Sequence, residues 1–172
     1  MKKIEEHKFF TDVEVEAGGL HVQVHSNILS SNSDVFHVML ETAPTVNELK
    51  QIDMNPLSAE GMKEMVKFLY VRDKSSNGHD EELLEAADKY KVSDLHHMLE
   101  MALMDGISTA NAVKRLQLSE ECHAPQLKQA VIRFVANNSE EILKSDSWRQ
   151  PSIVKPHLAN ETYLKIHAFN TH

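Results

Sequence analysis

Histidine and cysteine are the side chains best able to do specific chemistry here, with eleven histidines and a single cysteine in 172 residues. His21 and His25 fall on one face of a predicted strand. Four residues at about 3.3 Å each separate them by about 13 Å, too far to share one ion. His96 and His97 are adjacent on a predicted helix and so point to different faces. Cys122-His123 has no second cysteine at zinc-ligand spacing. These spacings assign no metal site and no cofactor, and they leave His25 a structural role.

Cys122 as a nucleophile would need a base such as His123 within reach, yet sequence neighbours on a short loop or helix end point apart. The chain has no G-x-S-x-G or P-loop pattern. A small buried or half-buried thiol is the reading that remains. The pairs Glu81-Glu82, Glu120-Glu121 and Glu140-Glu141 each follow Ser, Asp or a polar run at a predicted helix start, where carboxylates complement the helix dipole. No catalytic residue is assigned, and the chain is not expected to be an enzyme. Of the eight methionines, Met62, Met65 and Met98 sit on apolar stripes and are assigned to the core. Met39 and Met101 stay open between core and surface.

The formal charge of -8, from 18 basic and 26 acidic residues, repels a phosphate backbone and an anionic leaflet alike. No apolar run reaches the length of a signal peptide or a membrane span, so neither secretion nor membrane insertion is expected. One cysteine cannot form an internal disulfide and suits a reducing compartment, which implies nucleus or cytoplasm.

The elements that position these residues follow from periodicity. Asp12–Glu16 and Leu20–His25 alternate polar and apolar around Ala17-Gly18-Gly19, which reads as a β-hairpin with its second apolar face on even positions. At Ser33 or Asp34 the chain switches to a helix carrying Val35, Phe36, Met39 and Leu40. Pro44 breaks that helix, and Lys50–Met54 alternates as a third strand before the Asn55-Pro56 turn signal. Ser58 precedes a helix with Met62, Met65, Val66, Phe68 and Leu69, and Asp80 opens another with Leu83, Leu84, Ala87 and Tyr90. Leu95, Met98, Leu99, Ala102 and Leu103 continue at helical period as far as Gly106, which stands where a C-terminal cap would. Beyond it every readable element is helical: Ala110 to Leu118, then the stripe Leu127, Ala130, Val131, Phe134 and Val135. In the tail Pro151 and Pro156 interrupt, while Leu158, Tyr163, Leu164 and Ile166 hint at a final helix. The expected fold class is α+β, with a domain at 1–105 and an all-helical segment at 106–172.

Several stretches then resemble the BTB/POZ domain, in particular that of the speckle-type POZ class. Phe10-Thr11-Asp12-Val13 resembles F-[TS]-D-V, and Val24–Leu29 resembles A-H-K-x-[IV]-L. Ser33–Leu40 resembles S-P-V-F-x-A-M-F, and Met62–Tyr70 resembles F-K-x-[ML]-[LV]-x-[FY]-[IL]-Y. The most specific is Leu83-Leu84-Glu85-Ala86-Ala87-Asp88-Lys89-Tyr90, similar to L-L-x-A-A-D-K-Y. Trp148 and Pro156-His157-Leu158 are similar to the end of a BACK-like segment.

The resemblance implies a three-stranded sheet flanked by helices, then a BACK-like helical segment. It implies self-association or pairing with other BTB proteins through Ile4, Phe9, Phe10, Val35 and Phe36. It also implies recruitment of cullin-3, as a substrate adaptor or regulator of a ubiquitin ligase, through Met39, Leu40, Val46 and Glu48. Family adaptors often carry a hydrophobic-x-Glu motif in the loop after the helix ending near Leu40. Ungapped alignment puts Pro44-Thr45-Val46 there, and Val46-Asn47-Glu48 fits with a shift of two residues; the alternative is a plain surface loop. Ser26 stands where the family commonly has Lys or Arg near the position of Asp12, which leaves the pocket used by transcriptional members without its cation. The other reading is therefore a self-association scaffold or transcription-linked BTB protein that binds no cullin.

Overall fold

Polar–apolar alternation in the computed structural model, which describes residues 10–73, 78–149 and 155–170, builds β1 (Val13–Ala17) and β2 (Leu20–Val24). Val13, Val15 and Ala17 are fully buried while Glu14 and Glu16 point away from the core. The strands pair antiparallel around Gly18-Gly19, both at positive φ, a two-residue turn whose twist matches that of the strands. A side chain at Gly18 would put its Cβ 2.7 Å from the backbone nitrogen of Ala59, so glycine is required there on two counts.

A helical crossover of α1 (Ser26–Asn32) and α2 (Asp34–Thr42) carries the chain to β4 (Leu49–Asp53), which lies parallel to β1 with Val15 opposite Ile52. The three expected strands form, and a two-residue strand, β3 (Thr45–Val46), joins them at the edge to give the order β2-β1-β4-β3. The change of periodicity predicts the switch from strand to helix at Ser33. The structure turns helical at Ser26, with Ser33 ending α1 and capping α2 by accepting from the Phe36 amide at 3.0 Å.

Helix α3 (Ala59–Val71) starts where Ser58 Oγ accepts from the Gly61 amide at 3.0 Å, and α4 (Asp80–Lys89) follows. Glu82 does more than complement a dipole. Its carboxylate accepts from the Ser58 amide and, at 3.0 Å, from the Ser58 hydroxyl, tying α4 to the start of α3. The core of this unit centres on Phe36 stacked on Tyr90, with centroids 4.8 Å apart, among Met54, Met62, Met65 and Leu84. Such a stack contributes about 0.5–1.5 kcal/mol beyond its area. Ser33 Oγ donates to the Tyr90 carbonyl and fixes the same contact.

The chain divides into two compact units, 1–96 and 97–172, with the division inside α5 (Ser93–Asp105). The second holds α6 (Ala112–Glu121), α7 (Pro125–Asn137), α8 (Ser139–Ile142), α9 (Asp146–Arg149) and α10 (Pro156–Asn170). Glu100 is only 3% exposed, and its carboxylate accepts from the amides of Gln126 and Leu127 at 2.6 and 3.1 Å, capping α7. Gly106 is not left-handed; Arg115 instead donates to the Leu103 carbonyl and Asn111 to that of Gly106 at 2.8 Å, satisfying the end of α5.

Three further expectations are corrected. Glu120 and Glu121 end α6 rather than opening a helix. Carboxylates oppose the dipole there, and Lys128 at 2.8 Å and His157 at 3.1 Å offset this at Glu120. Met98 is 39% exposed, since the buried stripe of α5 is Leu95, Leu99, Leu103. Pro156 does not interrupt the last helix but begins it, where the missing N–H costs nothing. That helix buries Leu158, Thr162 and Ile166, leaving Tyr163 and Leu164 exposed. No helix among the described residues is long and apolar enough to cross a membrane.

Candidate functional site

The candidate recognition residues Met39, Leu40, Val46 and Glu48 gather where α2 gives way to the β3–β4 hairpin. Ala43, extended ahead of Pro44, stops the helix. Thr45 pairs with Lys50 and Val46 with Leu49, so Asn47-Glu48 is a two-residue loop with both residues at positive φ (49° and 68°), a tight hairpin turn rather than an open loop. Asparagine accepts that conformation readily; Glu48 holds it at a cost of order 1 kcal/mol. Lys50 Nζ donates to the Leu40 carbonyl near the end of α2, binding hairpin to helix and placing a cation where the helix dipole favours one.

The predicted site residues from Phe10 onward can be located on this frame. Val46 is 51% exposed on the edge strand, Glu48 is exposed at the turn, Met39 is half-buried and Leu40 is buried. Met39 lines one groove, of about 390 Å³, with Pro44 and Ile52. Leu40 and Glu48 line another, of about 450 Å³, with Asp12, His37, Thr45 and Lys50. Val46 belongs to neither lining, as strand alternation from Thr45 requires. Of the self-association candidates, Phe10 is 94% exposed, Val35 is half-buried, and Phe36 is wholly withdrawn into the core by its stack on Tyr90. Ile4 and Phe9 lie outside the described residues. Val38, 58% exposed on α2, was not singled out in the sequence. Its apolar type fits the helical stripe, and only the packing shows that it faces out.

The second groove ends on Asp12 and Ser26. Asp12 accepts from the Ser26 amide at 2.7 Å and from its hydroxyl at 2.6 Å. Burial raises the carboxyl's pKa, but the Ser26 hydrogen bonds, with His25 nearby, outweigh it and hold Asp12 below its ordinary value. A serine thus satisfies the carboxylate without neutralising it, and the groove keeps the negative charge. Beside it, the His25 amide donates to the Tyr70 hydroxyl at 3.0 Å, and that oxygen lies 2.7 Å from His25 Nδ1. His25 therefore joins the end of β2 to α3, the structural role its spacing suggested. Burial, offset by the His25 amide and reinforced by Asp12, raises the Tyr70 phenol. Cys122 is buried at the end of α6.

A family model for the BTB/POZ domain matches residues 1–107. The chain is 30% identical over 160 residues to BTB and MATH domain-containing protein 42 of Caenorhabditis elegans, covering 91% of this chain and 39% of that protein. It is 28% identical over 168 residues to TD and POZ domain-containing protein 2 of Mus musculus, covering 95% and 46%. The chain thus spans less than half the length of either curated relative. Among solved structures, the BTB domain of zebrafish PATZ1 matches with a TM-score of 0.52 at 16% identity, over 60% of this chain and 83% of that one, and speaks for the fold alone.

Proposed function

The chain belongs to the BTB/POZ domain family, whose domain is a protein-interaction module, and from that premise we propose that it is a substrate adaptor, or a regulator of one, for a cullin-3 ubiquitin ligase. In this reading it self-associates through its N-terminal unit, is not an enzyme, needs no cofactor, and works in the nucleus or cytoplasm. The helices after residue 105 are a BACK-like segment of the speckle-type POZ kind that extends the cullin contact.

The observation that carries the reading is the hairpin after α2. It presents Val46, 51% exposed, on a strand held by ladder pairing and by Lys50, with Glu48 two positions on, so a hydrophobic-x-Glu pattern stands on a rigid support rather than a loose loop. An anchor held this way loses little conformational entropy on binding. Isothermal titration against the N-terminal domain of cullin-3, with the solution mass set by light scattering, tests it. Wild type is expected to bind, with Val46→Ala or Glu48→Ala weakening binding at least about ten-fold. A folded protein that does not bind overturns the adaptor reading.

One observation favours a second reading, a self-association scaffold or transcription-linked BTB protein that binds no cullin. Glu48 lines a groove from which Val46 is turned away, while Phe10 stands 94% exposed. A folded dimer indifferent to cullin-3 is its expected result.

A further inference from the structure

The outer edge of β4 is covered for part of its length only. β3 pairs with Leu49 and Lys50, and the Pro44 carbonyl accepts from the Gln51 amide at 2.9 Å; upstream of Pro44 only the extended Ala43 separates it from the end of α2. On the inner side the Lys50 amide donates to Asp12 at 3.0 Å and the Met54 amide to Glu16 at 2.8 Å. Even-numbered positions of this strand therefore face β1, and alternation turns the Asp53 N–H and C=O outward. Among the described residues no strand lies beside them.

A groove of about 390 Å³ runs along this uncovered edge, with Met39 and Pro44 on the helix side and Glu16, Gln51, Ile52 and Asp53 on the sheet side. Glu16 and Asp53 stand opposite each other in the β1–β4 register, Glu14 lies two residues along the same face, and the lining contains no Lys or Arg. Unmet ladder groups, an apolar wall and an acidic face meet at one place.

We propose that this edge takes a short extended segment of a partner protein, with basic residues alternating with apolar ones, by strand addition. The incoming backbone bonds to the Gln51 carbonyl and to the N–H and C=O of Asp53, the Gln51 amide being held by Pro44. Its apolar side chains enter the groove against Met39 and Pro44, and the alternate basic ones lie across the strand from Asp53 and Glu16. The charge argues against a second copy of this chain, because two β4 edges laid together would oppose carboxylate to carboxylate. The segment shares Met39 with the cullin candidates but uses neither Val46 nor Glu48, whose substitutions test the cullin reading, so the two readings fail distinguishably.

The probe is a fluorescein-labelled six-residue peptide alternating lysine and valine. Its binding is read by anisotropy and located by amide chemical shifts and amide exchange on the full chain. Shifts centred on Gln51–Asp53 are expected, with exchange of the Asp53 amide slowed about ten-fold or more. The glutamate–valine counterpart should bind about ten-fold more weakly. The lysine–valine peptide N-methylated at alternate residues, which leaves the protein untouched but removes the ladder donors, should not bind. Asp53→Lys should reverse the preference between the charged peptides. Absence of binding, shifts that avoid Gln51–Asp53, equal binding of the N-methylated peptide, or indifference to peptide charge overturns the proposal.

Discussion

The two compact units answer the same problem, fixing one element against another, with different polar groups. Up to residue 96 several links run through hydroxyls, from Ser33 to the Tyr90 carbonyl, from Ser58 and Ser26 to the carboxylates of Glu82 and Asp12, and from Tyr70 to His25, beside the charged links of Lys50 to Leu40 and Arg72 to Asp94. From residue 97 they run through charge. Glu100 caps α7 from within the core, and Lys128 lies 2.8 Å from both Glu120 and Glu161, joining α6, α7 and α10. A hydroxyl bonded to a carbonyl, as at Ser33, is indifferent to salt and to most pH values, whereas links that end on a carboxylate or an ammonium are not. The first unit mixes the two kinds, while the links named in the second all carry charge.

The largest expected effect tests the charged unit. Glu100→Ala leaves the buried Leu127 amide and the part-buried Gln126 amide without their acceptor and should cost about 2 kcal/mol, and Glu100→Gln, which keeps an acceptor oxygen, clearly less. The only tryptophan, Trp148, lies in this unit. Its fluorescence during urea unfolding therefore reports the loss, and equal behaviour of both variants would remove the charge from the explanation. Next, Ser33→Ala removes a helix cap and a buried bond, at about 1–2 kcal/mol. Amide signals of the first unit should report this while the Trp148 transition stays in place; a common shift would break the distinction between the units.

Lys128→Met should cost about 1 kcal/mol, since one of its partners is well exposed and the pairs are screened by solvent. Concentrated salt should close the gap to wild type. Its pH dependence is two-sided. Hydrogen bonds from Lys128 and His157, against the opposing effect of burial, hold Glu120 below its ordinary 4.5, so its contribution is present above that value and lost as pH falls through the lower folded one. For Lys128 burial acts downward, but Glu120 and Glu161 outweigh it and raise the ammonium above its ordinary 10.5. That contribution is present below 10.5 and lost as pH rises through the folded value. The difference between wild type and Lys128→Met should therefore be flat across the neutral range and close at both extremes. The smallest effect is Ser26→Ala, about 0.5–1 kcal/mol. There a carboxyl-detected titration should show Asp12 moving back up toward 3.8, and an unmoved Asp12 would deny the hydroxyl its part.

What the sequence made legible was set by where a side chain's own type decides its place. β1 and β2 alternate, Ser58 and Asp80 stand at helix starts, and the stripes of α3 and α4 repeat at helical period, so all of these are readable in advance. α1 was not, because Ser26-Asn27-Ile28-Leu29-Ser30-Ser31-Asn32 is poor in helix formers and buries only Leu29; tertiary packing makes that helix. β3 is too short to alternate, and Asn47-Glu48 lacks the glycine that marks such turns. Periodicity also cannot say which apolar residues a neighbour will cover, which is why Met98, Tyr163 and Leu164 read as stripe and stand exposed. Among the candidate residues, Val46 and Glu48 rest on a motif alone, whereas the bare Asp53 edge appears only once β3 is seen to stop.

The parallel pairing of β1 with β4 also has a bearing on how the chain emerges during synthesis. β1, β2 and the two crossover helices leave the ribosome before β4 exists, so the central strand of the sheet waits with one side open, a time when a bare strand invites pairing with another nascent chain. The face of β1 turned from the core carries Glu14 and Glu16, and the strand that finally docks brings no lysine or arginine to that face. Those carboxylates stand where gatekeeper charges oppose the pairing of β1 with a neighbouring copy of itself.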